Sequence, residues 1–254
     1  MSGGECQSVL LQVVSVGSDG EMRIWAGIDD DDCESFLIGD EVLSVALNKT
    51  KIFAGIGGTN VLSGFNWEGE SEGVVGPRMA ADVTAVASCS AEENSLVVGC
   101  GDFSVKVINT DTFATVNLQG HTAPVLSVDM TSQGDVAASS SCDGTVRVWS
   151  CKAGEDVKLC IPDLHQKSND VPNSVTVAGL RFSRDGSVLA VPRAGSGEVE
   201  VLGRDISWGR VGKVKLDNLQ QKEIVTCLDW GNKASYIIAA TSKVSTVPFS
   251  LLYL

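Results

Sequence analysis

The sequence holds only two histidines, His121 and His165, and none of its eight cysteines forms a CxxC pair. So few ligands, with no convergent set, leave no zinc centre and no cofactor site to read. No run of eighteen apolar residues occurs, which argues against a membrane-spanning helix. The opening MSGGECQSVLLQVV has no basic n-region and no small-residue cleavage site, so no secretory signal is read there. Basic residues are scarce in one half of the chain. Residues 1–127 carry five basic and eighteen acidic side chains, whereas residues 128–254 carry fourteen of each, so the whole net charge of −13 lies in the first half. Wrapping nucleic acid on a broad basic face is disfavoured, because phosphate binding needs Lys and Arg to displace counterions. A basic or polar protein partner, or solubility alone, fits this charge. No segment sustains a 3.6-residue apolar period, so long helices are not expected.

What is present is short and apolar. The 254 residues, 43% hydrophobic and 20% charged, can bury a sizeable core and are not a disordered composition. Runs such as LSVAL, KIFAG, VTAVA, SLVVG, SVKVI, VLSVD, TVRVW, EVEVL and YIIAA recur between turn residues. The pattern predicts an all-β fold of many short strands. Cys100, Cys160 and Cys227 fall inside such runs and are expected to act as small apolar groups. Without a secretion signal, the eight thiols are expected to be reduced, in cytosol or nucleus.

The runs repeat as units. Asp143 precedes Trp149 by six residues, Asp19 precedes Trp25 by six, and Asp102 precedes Ile108 by six. Asp102 and Asp143 are 41 apart, and Asp19 and Asp102 are 83 apart, two periods. The intervening unit falls in residues 51–65, with a degenerate turn at Thr59. EVEVL (198–202) and YIIAATS (236–242) mark two more. A period of about 40–45 residues with a terminal Trp is the signature of WD40 blades, four-stranded sheets stacked radially because none can bury both faces alone. About six units are recognisable, the first and last incomplete, of an expected seven. The whole of 1–254 is read as a single propeller domain.

The strongest unit runs from Gly120 to Cys160. Its His121, Ser139, Asp143 and Trp149 match the hydrogen-bonded structural tetrad of such blades. An imidazole and a carboxylate drawn into an apolar blade must be paired, or each costs about 1–3 kcal/mol. Ser15, Asp19 and Trp25 form a partial tetrad with no Gly-His before them. Asp102 is a second remnant, with Ile108 in place of Trp. A catalytic Ser-His-Asp set is the rival reading, but no nucleophile elbow is present. No catalytic, cofactor or metal residues are therefore assigned.

Four other features read as structural. His165, five residues after Cys160, is a solvated loop histidine. GIGGTN (55–60) has phosphate-loop glycines but no following helix, and reads as a strand-connecting turn. The run Asp29–Asp32 lacks the alternating ligands of a calcium loop. RDISWGRVGKVK (204–215), with four basic residues and Trp208, could touch a phosphate backbone, but reads better as an exposed outer strand kept soluble by charge.

GSDGEMRIW (17–25) followed by IDDDD (28–32), then GDFSVKV (101–107), GHTAPVLSVDM with SSSCDGTVRVW (120–149), LHQKSNDV (164–171), GLRFSRDGSVLAVP (179–192) and IVTCLDW (224–230) occur in a distinctive order. In that order the chain resembles, over roughly residues 8–242, the N-terminal propeller of the WD repeat and HMG-box DNA-binding protein family. The family is also called acidic nucleoplasmic DNA-binding protein, and its yeast relative is the chromosome transmission fidelity adaptor. The resemblance implies a nuclear, non-enzymatic scaffold on chromatin. It would tether the replicative helicase to DNA polymerase alpha at replication forks and support cohesion and repair. It implies no small-molecule substrate, no membrane, and at most weak direct DNA contact by this domain. The alternative is a WD40 interaction module of another complex, such as a substrate receptor or trafficking scaffold.

The chain departs from the family pattern in several places. The family's second β-rich domain and HMG box are not in this sequence. The first unit starts too late for its innermost strand, and SKVSTVPFSLLYL after Thr241 shows no third strand ending in Trp. The domain is therefore expected to be truncated at both ends. Expressed by itself, it is expected to be poorly soluble or oligomeric, because open sheet edges invite association.

Overall fold

The computed structural model describes residues 12–25, 33–89, 94–152, 157–161, 179–193, 198–215, 225–231, 236–241 and 250–253. Among them, twenty-two strands build six antiparallel sheets, and each sheet is made of strands consecutive in the chain. Sheet I holds β1 (Val13–Val16), β2 (Glu21–Trp25) and β3 (Cys33–Leu37). Sheet II holds β4 (Val42–Leu47), β5 (Ile52–Ile56), β6 (Leu62–Phe65) and β7 (Ser71–Val75). Sheet III holds β8 (Val83–Ser88), β9 (Ser95–Cys100), β10 (Val105–Asn109) and β11 (Thr115–Leu118). Sheet IV holds β12 (Val125–Met130), β13 (Val136–Ser141), β14 (Val146–Ser150) and β15 (Val157–Ile161). Sheet V holds β16 (Arg181–Phe182), β17 (Val188–Pro192), β18 (Glu198–Gly203) and β19 (Gly209–Lys215). Sheet VI holds β20 (Val225–Trp230), β21 (Tyr236–Thr241) and β22 (Ser250–Tyr253). This is a WD40 propeller architecture whose sheets do not close into a ring.

Strand alternation explains the stacking. Met22 and Ile24 of β2 point to one face of sheet I and pack on Val42, Ile52, Ala54 and Phe65 of sheet II. Phe53 and Leu62 of sheet II meet Val83, Leu96 and Ile108 of sheet III. Val97 and Val105 of sheet III meet Val125, Val128 and Trp149 of sheet IV. Val136, Ala138 and Val148 turn the other way, onto Leu180, Leu189 and Trp208 of sheet V. Ala190 and Val199 meet Leu228 and Ile237 of sheet VI. A central strand such as β13 is covered on both faces, so all six of its residues are buried although three are serines.

Small residues stand where a neighbouring inner strand crosses closely. A Cβ on Gly99 would lie 2.5 Å from Val125 Cγ1 and 3.0 Å from Val128 Cγ1. A Cβ on Gly55, the matching place in sheet II, would lie 2.6 Å from the Val83 carbonyl oxygen. Gly99→Val is expected to lower stability by about 1–3 kcal/mol through overpacking of the seam between sheets III and IV. Urea unfolding measures it, and an unchanged midpoint would mean that the two sheets separate without loss.

The inner strands share a device that no sequence period announced. The register slips between Val42 and Ser44, between Val83 and Ala85, between Val125 and Ser127, and between Val225 and Cys227. One bulge thus recurs at the second residue of β4, β8, β12 and β20. At this place in β8 the Thr84 hydroxyl donates to the Val125 carbonyl of the next sheet at 2.6 Å. Asp129 ties sheets IV and V in another way, accepting the Phe182 amide at 2.6 Å. Burial pushes this carboxyl up to about 6, with nearby Arg181 opposing.

Ser250–Tyr253 pairs with β21 as the third strand of sheet VI, and it ends without a Trp, as expected. One expectation is corrected. Cys227, expected inside the apolar core, is exposed, because its side of β20 has no further sheet against it among the described residues. Cys100 is fully buried as expected.

Candidate functional site

His121 lies in the loop before β12, Ser139 in the middle of β13, Asp143 in the turn joining β13 to β14, and Trp149 near the end of β14. The fold brings all four together at the seam between sheets III and IV. His121 Nδ1 is 2.9 Å from Asp143 Oδ2, and His121 Nε2 is 2.7 Å from Ser139 Oγ. The Trp149 indole Nε1–H donates to Ser139 Oγ at 2.7 Å. Indole is a donor only, so Ser139 accepts there and spends its single proton on His121 Nε2. The imidazole proton must then sit on Nδ1 and donate to Asp143. The network thus selects one tautomer and keeps the ring neutral. The His121 ring also meets the Trp149 ring edge-on, centroids 5.9 Å apart.

Asp143 anchors the turn. Its Oδ1 accepts the Thr145 amide at 2.8 Å and the Thr145 hydroxyl at 2.7 Å, and its Oδ2 accepts the Thr122 amide at 3.0 Å. Burial alone would raise this carboxyl, but the hydrogen bonds from Thr145, Thr122 and His121 outweigh it and bring it down to about 2. Burial lowers His121 below its ordinary value, against the opposing pull of Asp143. The turn needs a left-handed residue after the Asp: Gly144 (φ 83°) here, Gly20 (φ 76°) in sheet I. Sheet III places Phe103 there at φ 73°, with its ring exposed.

These contacts resemble a hydrolytic triad, but the serine is sealed. Ser139 has no solvent exposure, and its oxygen already accepts the Trp149 indole N–H. Ser139 is therefore closed to a substrate carbonyl in this structure, and the four side chains bond to one another.

Both groups make acid destabilising. The unfolded chain takes up a proton at His121 below about pH 6.5, which the folded chain resists, so stability falls from there downward. Asp143 adds a second loss between about pH 4 and its folded value near 2. Asp129 works oppositely: its raised folded value makes the native state gain stability as pH falls from about 6 towards 4. In urea titrations at pH 7, 6 and 5, Asp129→Asn is therefore expected to lose stability more steeply than the native chain. His121→Gln is expected to flatten the slope, and a slope unchanged in both variants would contradict this assignment.

The partial sets are looser. The Trp25 indole donates to Ser15 Oγ at 3.2 Å. Asp19 joins neither of them; it accepts the Glu21 amide at 3.2 Å and the Arg23 guanidinium at 3.1 Å. Asp102 accepts the Ser104 amide at 3.0 Å and has Lys106 at 3.9 Å. Burial would raise Asp102, but the Ser104 bonds and Lys106 hold it below its ordinary value. Three contributors escaped the sequence reading. Thr145 was visible as the last residue of SCDGT, two after the Asp, where Ser104 stands in sheet III. The Thr122 amide carries no side-chain signal. Arg147, two before Trp149, lies over the indole ring at 5.9 Å, and only the packing shows it.

The other candidates separate clearly. Of residues 55–60 the first two end β5 and the rest belong to the turn before β6, with the Gly57 amide donating to the Glu41 carbonyl at 2.9 Å, and a strand follows rather than a helix. Of residues 204–215 only Gly209–Lys215 form the exposed outer strand β19, and Arg204–Ile206 make a single 3-10 turn before it. The cations of this stretch face carboxylates: Lys213 lies 2.6 Å from Glu198, Arg210 lies 3.8 Å from Glu200, and Arg204 pairs with Asp135. Trp208 is buried edge-on against Phe182, centroids 5.4 Å apart, so it offers no base-stacking platform. Asp29–Asp32 and His165 lie outside the described residues, as does the side chain of Cys160. Among the described residues no group of three His, Cys, Asp or Glu could hold a metal.

The family model described as the WDHD1 first WD40 domain matches residues 9–251. WD repeat and HMG-box DNA-binding protein 1 of Mus musculus is 36% identical over 182 residues. The proteins of that name in Xenopus laevis and Homo sapiens are 34% and 32% identical over the same length. Each alignment covers 71% of this chain and 16% of the relative, so the chain corresponds to a small part of these proteins. F-box-like/WD repeat-containing protein TBL1X of Mus musculus is 28% identical over 138 residues, covering 53% of this chain and 25% of its own length.

Proposed function

Because the chain belongs to the WDHD1 first WD40 domain family, we propose that it works as a non-enzymatic protein-interaction scaffold of the nucleus. In this reading it serves at replication forks, within an adaptor linking the replicative helicase to DNA polymerase alpha. The single observation that carries the reading is the family match over nearly the whole chain, joined by relatives named for DNA binding. Two features of the molecule support it. The polar set buried between sheets III and IV is occupied with holding the fold, which leaves surfaces rather than a reactive centre for function. The acidic excess lies in residues 1–127, and among the described residues Asp19, Asp40, Glu41, Asp82 and Asp102 stand at turns and inter-sheet loops. This charge favours a basic protein segment over phosphate. A generic WD40 receptor is the second reading, favoured by the TBL1X match, but that match covers less of the chain at lower identity.

The test is affinity capture with the tagged full chain from S-phase nuclear extract, alongside an unrelated WD repeat domain. Enrichment of helicase and polymerase alpha subunits on this chain alone is expected. Equal recovery on both baits would leave only the generic reading.

A further inference from the structure

Four arginines stand three residues before a serine: Arg147 before Ser150, Arg184 before Ser187, Arg193 before Ser196 and Arg204 before Ser207. Basophilic serine/threonine kinases read an arginine at this spacing through its charge. The fold separates the four. Ser150, at the end of β14, is only 1% exposed. The Ser187 hydroxyl donates to Asp185 Oδ1 at 2.8 Å, and the Ser187 amide donates to the same oxygen at 3.0 Å. Ser196 lies outside the described residues. Ser207 is exposed, and its hydroxyl has no hydrogen-bond partner among the described residues.

The turn holds Ser207 at its apex. Arg204–Ile206 form the 3-10 turn and Ser207 caps it, its amide donating to the Arg204 carbonyl at 3.0 Å. Ser207 and Trp208 are both left-handed (φ 57° and 64°), at places where such a tight turn ordinarily takes Asn and Gly. The Trp208 ring, buried edge-on against Phe182, pins the far side. Extending the segment into an enzyme's cleft gives up the Ser207 bond to Arg204 and the Trp208 amide bond to the Gly203 carbonyl, and relieves an unfavourable backbone in return. Arg204 itself reaches across the seam to Asp135 Oδ2, while Asp135 Oδ1 accepts the Thr131 hydroxyl at 2.7 Å. Both members of this ion pair are partly exposed, so little free energy opposes an exchange of partners. Arg210, three residues after Ser207, is held only by Glu200 at 3.8 Å.

We propose that Ser207 is a phosphorylation site for a kinase of this class, and that its phosphate takes Arg204 from Asp135 and loosens the seam between sheets IV and V. The kinase transfers the γ-phosphoryl group of ATP. A P–O bond forms to Ser207 Oγ, the bond to the β-phosphate oxygen breaks, ADP leaves, and the hydroxyl proton passes to the enzyme's base. The product carries a charge of about −1.5 to −2 at neutral pH and three acceptor oxygens. It outcompetes the single Oδ2 of Asp135 for a guanidinium one turn away, and Arg210 adds to the attraction against the repulsion of exposed Asp205. Asp135 keeps Thr131, so sheet IV stays folded while its ion pair to sheet V is given up.

The experiment treats the full native chain with magnesium-ATP and the catalytic subunit of cAMP-dependent protein kinase, and maps the phosphate by mass spectrometry. Incorporation at Ser207 is expected, with Ser150 and Ser187 unmodified, and Ser207→Ala is expected to abolish it. Scanning calorimetry then tests the exchange of partners. Phosphorylation is expected to lower Tm by about 1–3 °C. Asp135→Asn should lower the Tm of the unmodified chain by a similar amount and that of the phosphorylated chain by nothing further, because the ion pair is already broken. No incorporation, or incorporation at Ser196 with none at Ser207, overturns the site. Additive losses from the phosphate and Asp135→Asn overturn the exchange.

Discussion

Asp143→Ala is expected to lower the stability of the protein by about 3 kcal/mol, a fall in Tm of roughly 6–12 °C. The carboxylate is the acceptor for the Thr145 amide and hydroxyl, the Thr122 amide and the His121 ring. Removing it leaves His121 Nδ1–H without its acceptor in a buried place, and loosens the loop that delivers the histidine. Hydrogen bonds to a charged group are worth more than neutral ones, and one member lost from a shared network weakens the rest. Asp143→Asn should recover part of the loss, since an amide oxygen still accepts from one side. Scanning calorimetry on the two variants distinguishes a lock from a solvated turn. An unchanged Tm in Asp143→Ala means that the four residues do not hold the seam.

The second large effect is a contrast. Trp149→Ala is expected to cost about 3–5 kcal/mol, because it opens a cavity between sheets III and IV and strips Ser139 of its donor. Trp25→Ala, at the same place in sheet I, is expected to cost about 1 kcal/mol or less, because that indole is partly exposed, with no sheet against its face among the described residues. Chemical denaturation of both variants reads the difference directly. Equal losses would show that sheet I has a covering neighbour after all, and that the two faces are equivalent.

Most of the sheet IV lock was legible in advance. The six-residue step from Asp143 to Trp149 and the Gly-His opening specify strand, turn and loop, since the tight turn at 142–145, closed by the Gly144 amide on the Ser141 carbonyl, leaves little freedom for what lies opposite. Ser139 could be placed because side chains alternate along β13. The partial set of sheet I was legible only as a list of residue types. Nothing in GSDGEMRIW shows that Arg23 reaches Asp19 while its counterpart Arg147 lies over an indole. That choice is made by the packing around each carboxylate, which the local sequence does not show. The bulge shared by β4, β8, β12 and β20 was hidden too, because Leu43, Thr84, Leu126 and Thr226 have no residue type in common.

The sequence by itself determined the all-β class, the period of about forty residues, the meeting of His121, Ser139, Asp143 and Trp149, and the family. These follow from short-range rules: alternation, turn chemistry and spacing along one chain. The tertiary structure alone decided which of two equivalent tryptophans is sealed, that Cys227 is exposed while Cys100 is buried, and that Trp208 packs against Phe182 instead of facing outward. The physical reason is common to all three. A strand's pattern says which residues share a face, but water leaves that face only when another sheet covers it.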